Sequence, residues 1–308
     1  MGLMGFARVA TVLGMLAMPA LAAAQDDAVA SAVGTQVFFS TDSDDTTVVR
    51  IAGDFDLRND GDARRLGVRL ENAWYEPLGG ETEQRQRIFV QAGDRSAGWT
   101  WAARVGTDGH DVIGAASVYD DSAFRKEFFI ERDVVETPLG LEEDIFTTFA
   151  GAAIDLPLND RNIVNLLVGY QDFTGDNERY HVRGNFIHVI SNEIGLSAQL
   201  RAQYYYSTQP GEFDYFSPEN YVQVLPVLQL RRFSGGWQFR AVGGIGAQNF
   251  TGTDWQQANF AQVAVEAPVG GTWSGGAELT YTDTPGNNAV ASDDYNYFQA
   301  RFSLTRRF

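Results

Sequence analysis

Apolar and polar residues alternate along nearly the whole chain. In the closing run YNYFQARFSLTRRF, Phe298, Ala300, Phe302, Leu304 and Phe308 share one parity, and Tyr297, Gln299, Arg301, Ser303, Thr305 and Arg307 share the other. A strand with that period has one apolar face and one polar face. From Thr35 onward the pattern recurs, broken by turn residues, at 35–41, 47–58, 63–76, 84–92, 97–106, 110–120, 124–135 and 143–157. It continues at 161–172, 177–190, 193–207, 218–232, 236–249, 255–267, 271–283 and 292–308. No helical period interrupts the series. The fold class this predicts is all-β: a transmembrane antiparallel up-and-down β-barrel of about 16 strands, with 14 as the alternative count.

The connections carry an independent signal. Counted back from the C-terminus, tight turns at 267–271, 233–236, 191–193, 158–160 and 121–123 interleave with longer, mostly acidic loops at 283–293, 207–218 and 136–144. Transmembrane barrels have short periplasmic turns and longer outer loops, whereas a soluble sandwich has no reason to sort its loops by parity. Aromatic placement agrees. Trp99, Trp101, Trp237 and Trp273 fall at strand starts on the short-turn side, and Trp74, Trp255, Tyr204 and Tyr206 fall at the long-loop side. Together with Phe308 these are the candidate membrane-interface aromatics, since amphipathic rings favour the headgroup layer.

The polar parity then faces inward. It places Arg69, Arg87, Arg104, Arg183, Arg201, Arg240, Arg301, Glu266 and Glu278 as candidate pore-lining residues, among further Arg, Asp and Glu such as Arg50, Asp54 and Glu71. An arginine on the lipid face at mid-bilayer costs about 2–4 kcal/mol, so these groups must meet water or one another. Two arrangements fit: a cross-strand lattice of ion pairs, or a track for a polar, hydroxyl-rich solute. About sixteen strands leave an aqueous bore, narrow and open or partly closed by the 207–217 loop.

Composition narrows the picture. The chain has 308 residues, no cysteine, 32 Gly, 21 Phe, 12 Tyr and 6 Trp. Mean hydropathy is -0.22, and beyond the N-terminal segment no apolar run approaches the roughly 20 residues of a spanning helix. The net charge of -17 argues against a nucleic-acid partner. The first residues combine Arg8, an apolar stretch from Val9 to Met18 and Ala22-Ala23-Ala24 before Gln25. They read as a cleaved signal peptide over 1–24, leaving a short segment 25–34 and a barrel over 35–308, in the outer membrane of a Gram-negative bacterium.

Catalytic motifs are nearly missing. The three histidines sit apart as His110, His181 and His188, and no G-x-S-x-G, H-E-x-x-H or Cys/His metal spacing occurs. Nothing predicts an enzyme, a metal or a cofactor. The runs TDSDDT (41–46) and DFTGDNE (172–178) lack the order of a calcium loop.

One stretch carries a resemblance. YFSPENYVQVLPVLQLRRFSGGWQFRAVGGIGAQ, with Tyr215, Phe216, Ser217, Pro218 and Tyr221, resembles the last third of exopolysaccharide-export barrels, in particular the C-terminal barrel of the bacterial cellulose-export porin. The resemblance covers about 215–308. It implies a sixteen-stranded pore for a nascent glucan behind a tetratricopeptide-repeat periplasmic arm. Only about ten residues separate Gln25 from the first expected strand, which leaves no room for that arm: either a separate periplasmic scaffold supplies it or the barrel is a general porin. The expected function is a pore for a polar solute, an exopolysaccharide among the candidates. The alternatives are a closed structural or adhesion barrel binding through its acidic outer loops, and an outer-membrane lipid or glycan hydrolase. Other expected partners are outer-membrane lipids and the barrel assembly machinery, which would read the strand ending in Phe308.

Overall fold

The computed structural model describes residues 30–61, 64–268, 271–286, 289 and 295–308; the expected signal peptide lies outside the described residues. The described residues form sixteen strands and one short helix. The strands are β1 (Ala32–Asp42), β2 (Thr47–Asn59), β3 (Arg65–Glu76), β4 (Glu83–Ser96), β5 (Trp99–Thr107), β6 (Val112–Asp120), β7 (Lys126–Val134) and β8 (Phe146–Asn159). They continue as β9 (Asn162–Phe173), β10 (Glu178–Ser191), β11 (Leu196–Ser207), β12 (Asn220–Ser234), β13 (Trp237–Phe250), β14 (Gln256–Glu266), β15 (Trp273–Thr282) and β16 (Tyr297–Arg307). The helix α1 (Pro138–Glu142) sits between β7 and β8.

Each strand pairs antiparallel with its neighbours in the chain, and β1 pairs with β16, so the sheet closes into a barrel without an open edge. The closing ladder runs from Ala32 opposite Arg307 to Asp42 opposite Tyr297. The first strand therefore starts at Ala32 rather than 35. The last strand starts at Tyr297 rather than 292, and Asn296, just outside it, accepts a hydrogen bond from the Tyr281 hydroxyl (2.5 Å).

The alternation resolves into two faces. Ile51, Phe55, Leu66, Val90, Val168, Leu228 and Phe302 are exposed, while their chain neighbours Arg50, Asp54, Gln91, Leu167 and Val227 are buried. In a closed barrel, the exposed apolar parity is the outside and the buried polar parity the inside. An inside-out surface of this kind suits a hydrocarbon solvent.

The two rims differ. The rim holding both chain ends has tight turns and all three register shifts, at Asp56/Arg58, Pro157/Asn159 and Val189/Ser191. Bulges concentrate at barrel rims, where they end pairing, and a bulge also admits Pro157. Gly195 shows how tight these turns are. Its φ is +72°, and a Cβ there would lie 1.8 Å from the Arg231 carbonyl oxygen. The opposite rim carries the long connections 135–145 and 208–219.

Candidate functional site

The interior is the candidate site, and its two walls differ in chemistry. Strand register places Arg69, Arg87, Arg104, Arg183, Arg201, Arg240, Arg301, Glu266 and Glu278 on the inner parity. On the wall from β1 to β7 they belong to a dense ion-pair lattice. Arg69 contacts Asp54 (3.2 Å) and Glu71 (2.9 Å), and Arg87 contacts Glu71 (3.0 Å) and, more closely, Asp133. Arg65 extends the lattice to Asp56 (3.0 Å), and Gln91 donates to Asp54 (2.7 Å). The Phe89 ring lies between the guanidinium groups of Arg87 and Arg104, 5.4 and 5.1 Å from its centroid. Charges interleave in sign here, so each desolvated group has a counter-charge.

The wall from β7 to β13 is aromatic and amide-rich instead. Rings follow one another around it: Phe129 to Phe149 (5.3 Å), Phe149 to His181 (5.0 Å), His181 to Tyr205 (5.3 Å) and Tyr205 stacked on Tyr221 (5.0 Å). Glycines let the rings lie close to the wall. A Cβ at Gly151 would come within 2.5 Å of the Phe129 ring, and one at Gly169 within 2.5 Å of Phe149. Beside them runs an amide chain in which Gln203 donates to Gln223 (3.1 Å) and Gln223 to Gln248 (3.3 Å).

Space remains between the walls. Arg104, Ser117, Glu131, Arg183, Asn185, Arg201 and Gln203 face inward by register yet keep partial solvent exposure. Inward side chains in a closed barrel reach solvent only through the lumen. The lumen is therefore accessible at these levels.

At the long-loop rim two loops pack against inward side chains. Thr137 caps α1 by accepting from Gly140 N (3.1 Å), with Pro138 in the first turn where its missing N–H costs nothing. This places Leu141 among Phe38, Val48, Tyr75, Phe89, Ile113 and Phe146, side chains contributed by strands from β1 to β8. Arg85 fixes the same segment, donating to Leu141 O (2.9 Å) and pairing with Asp144 (3.0 Å) and Asp108 (3.0 Å). From the other side the 208–219 loop turns in. Phe216 packs with Tyr205, Tyr221, Phe250 and Tyr297, and Tyr215 stacks on Phe173 (4.4 Å). Burial pushes the Tyr215 phenol up to about 12, so it stays neutral and accepts from Asn177 (2.9 Å).

The loops then bind each other. Asp214 accepts from Thr137 Oγ1 (2.7 Å) and Leu139 N (2.9 Å), and Phe216 N donates to Ala289 O (2.8 Å). Glu212 anchors the β9–β10 turn by accepting from Asp176 N (2.6 Å) and Asn177 N (2.9 Å). The 207–217 loop meets a partner, 135–145, that sequence reasoning missed. The signal was present in EFDYFSP (212–218), where three aromatics stand in an otherwise polar loop and ask to be buried.

The girdle candidates lie on the outside. Trp99, Trp101, Trp237, Trp273 and Phe308 are exposed toward the rim with the chain ends, and Tyr204, Tyr206 and Trp255 toward the other. Trp74 shares the outward parity near the end of β3, between inward Ala73 and Tyr75. The Arg306 guanidinium lies over the rings of Trp273 (5.5 Å) and Phe308 (4.9 Å), which accounts for a charged residue on the apolar parity of β16.

No protein-family model matches the chain, and no curated protein matches it in sequence. Solved structures do. One described as "Bacterial polysaccharide outer membrane secretin" superposes with a TM-score of 0.66 at 17% identity, over 90% of this chain and 98% of that one. The likeness is one of fold. OccAB3 of Acinetobacter baumannii follows with a TM-score of 0.44 at 11% identity, over 92% of this chain and all of that one. OccK5 of Pseudomonas aeruginosa gives 0.43 at 9% identity, over 91% and 98%.

Proposed function

We propose that the protein is an outer-membrane pore that passes a polar, hydroxyl-rich solute, with an exopolysaccharide as the solute class. The observation that carries this reading is the inversion of the barrel. Its outside is apolar, and its inside is charged, amide-rich and partly solvent-accessible. Aromatic rings beside amides suit a sugar chain, whose C–H faces stack on rings while its hydroxyls exchange hydrogen bonds with Gln and Asn. The structural neighbour described as a polysaccharide secretin supports the same solute class. On this reading the nine inward charged residues named above line the path, and the tight turns lie in the periplasm. Residues 1–24 direct export, and a separate periplasmic scaffold hands the polymer over. Discrete current steps from refolded protein in a planar bilayer are the expected result. A second reading, a closed structural or adhesion barrel, is favoured by the interlocked outer loops; silence at every voltage would select it and sink the pore.

The end of β16 is proposed as the signal read by the assembly machinery. Phe308 N donates to Ser31 O (2.8 Å), which ties the last residue into the closing seam. Deleting Phe308 is expected to lower membrane insertion severalfold, and Arg306→Leu much less. Folded yield, read by heat-modifiable mobility of membrane extracts, checks both. Normal insertion of the deletion would remove this role.

A further inference from the structure

The wall from β10 to β16 has arginine in excess of acid. On its inner parity the arginines, Arg183, Arg201, Arg231, Arg240 and Arg301 together with Arg179 and Arg307 at strand ends, stand against Glu266 and Glu278. In the β1–β7 lattice the two signs are interleaved, so the excess is local.

Two of these arginines face each other, and a third, Arg201, stands opposite Leu225 further along the same wall. Arg231 lies directly opposite Arg240 in the β12–β13 ladder, an arrangement that costs stability for like charges. Arg240 acts electrostatically on both Arg201 and Arg231. It is itself held by Glu278 (2.9 Å). Arg201 and Arg231 form no ion pair among the described residues. Arg201 Nε donates to Gln199 Oε1 (3.3 Å) and its guanidinium lies over Phe260 (5.0 Å), while its two terminal nitrogens have no acceptor among the described residues. Glu266 acts on Arg231 from beyond ion-pair distance and already accepts from Gln238 (3.0 Å). Both arginines keep partial exposure, which by register opens to the lumen.

We propose that the Arg231–Arg240 pair and Arg201 further along the wall form a track that binds carboxylates on the translocated polymer, so that the solute is an acidic polysaccharide built from uronic-acid-like units. This rests on the pore reading and names its substrate class. Uncompensated positive charge inside a barrel calls for mobile anions, and a guanidinium fork matches a carboxylate in two parallel hydrogen bonds. Phe260 beside Arg201, with Gln199 and Gln203 on the same strand face, supplies a stacking surface and hydroxyl partners for the sugar ring. The acidic outer loops then oppose return of a polyanion that has passed. The chain's net charge of -17 and the basic patch inside it are compatible because they occupy different places.

The test is calorimetry on the full-length barrel in detergent, with a hexamer of a uronic acid, a neutral glucose hexamer and inorganic phosphate as probes. The acidic hexamer is expected to bind at least tenfold more tightly than the neutral one, with affinity falling as salt rises. The double variant Arg201→Gln/Arg231→Gln is expected to abolish that preference, and Arg201→Lys to retain the salt dependence but lose affinity. Unchanged heat-modifiable mobility shows that the variants fold. Equal binding of the two hexamers, or an undiminished preference in the double variant, would overturn the assignment. Phosphate binding as tightly as the acidic hexamer would overturn the polymer as ligand in favour of a general anion site. Binding without conductance would refute the pore while keeping this site, and conductance without acidic preference would do the reverse.

Discussion

Replacing Asp214 by alanine is expected to raise the open fraction of the barrel in planar bilayers by about ten- to a hundredfold. Its carboxylate joins two loops that come from opposite sides of the mouth, accepting from Thr137 Oγ1 (2.7 Å) and Leu139 N (2.9 Å). Hydrogen bonds to a charged group contribute about 1.5–3 kcal/mol each, and each 1.4 kcal/mol is a factor of ten. Other contacts remain after the change, among them Arg85 on Leu141 O and Phe216 N on Ala289 O, so the loop pair loosens without detaching. Asp214→Asn keeps one acceptor oxygen and is expected to fall between the two. The chain has no cysteine, so Thr137→Cys/Asp214→Cys introduces a unique pair. Oxidation is expected to silence the channel and a reductant to restore it. An Asp214→Ala channel indistinguishable from wild type, or an oxidised pair that conducts freely, would show that the loops are not the gate.

The barrel itself was legible because its determinants are local. Alternation fixes strand and face, turn residues fix the breaks, and loop length sorts the rims. Expected and observed segments accordingly differ by a few residues at most ends, as at Trp99, where β5 begins, against 97. The inward placement of residues such as Arg201 and Glu278 follows from the same parity. What sequence could not supply is contact between elements that are not ladder neighbours. Thr137 and Asp214 lie 77 positions apart on two loops, and no periodicity links them. Arg87 on β4 meets Asp133 on β7 across two intervening strands, a contact set by the tilt and radius of the closed barrel. Parity says that both point inward; it does not say which acid an arginine reaches.

That limit makes the lattice on the β1–β7 wall the sharper test of the interior. Arg87→Met is expected to destabilise the barrel by about 3–5 kcal/mol, the usual consequence of removing one partner from a buried ionic group. Arg87 serves two carboxylates, Glu71 and Asp133, and its side chain is 4% exposed. Methionine fills much of its volume over the Phe89 ring but removes the ion pair of Asp133 and leaves Glu71 with Arg69 alone. Glu71→Gln should cost less, because Arg87 keeps Asp133 and Arg69 keeps Asp54. The triple variant Arg87→Met/Glu71→Gln/Asp133→Asn removes charge on both sides and is expected to recover most of the loss. Urea unfolding of barrels refolded into lipid vesicles reads these differences. If Arg87→Met matched Glu71→Gln, or the triple variant were no better than Arg87→Met, the lattice would be a set of independent pairs. The expected non-additivity marks a coupled network. Such a network holds the charged wall rigid, in contrast to the opposite wall, where Arg201 and Arg231 form no ion pair among the described residues.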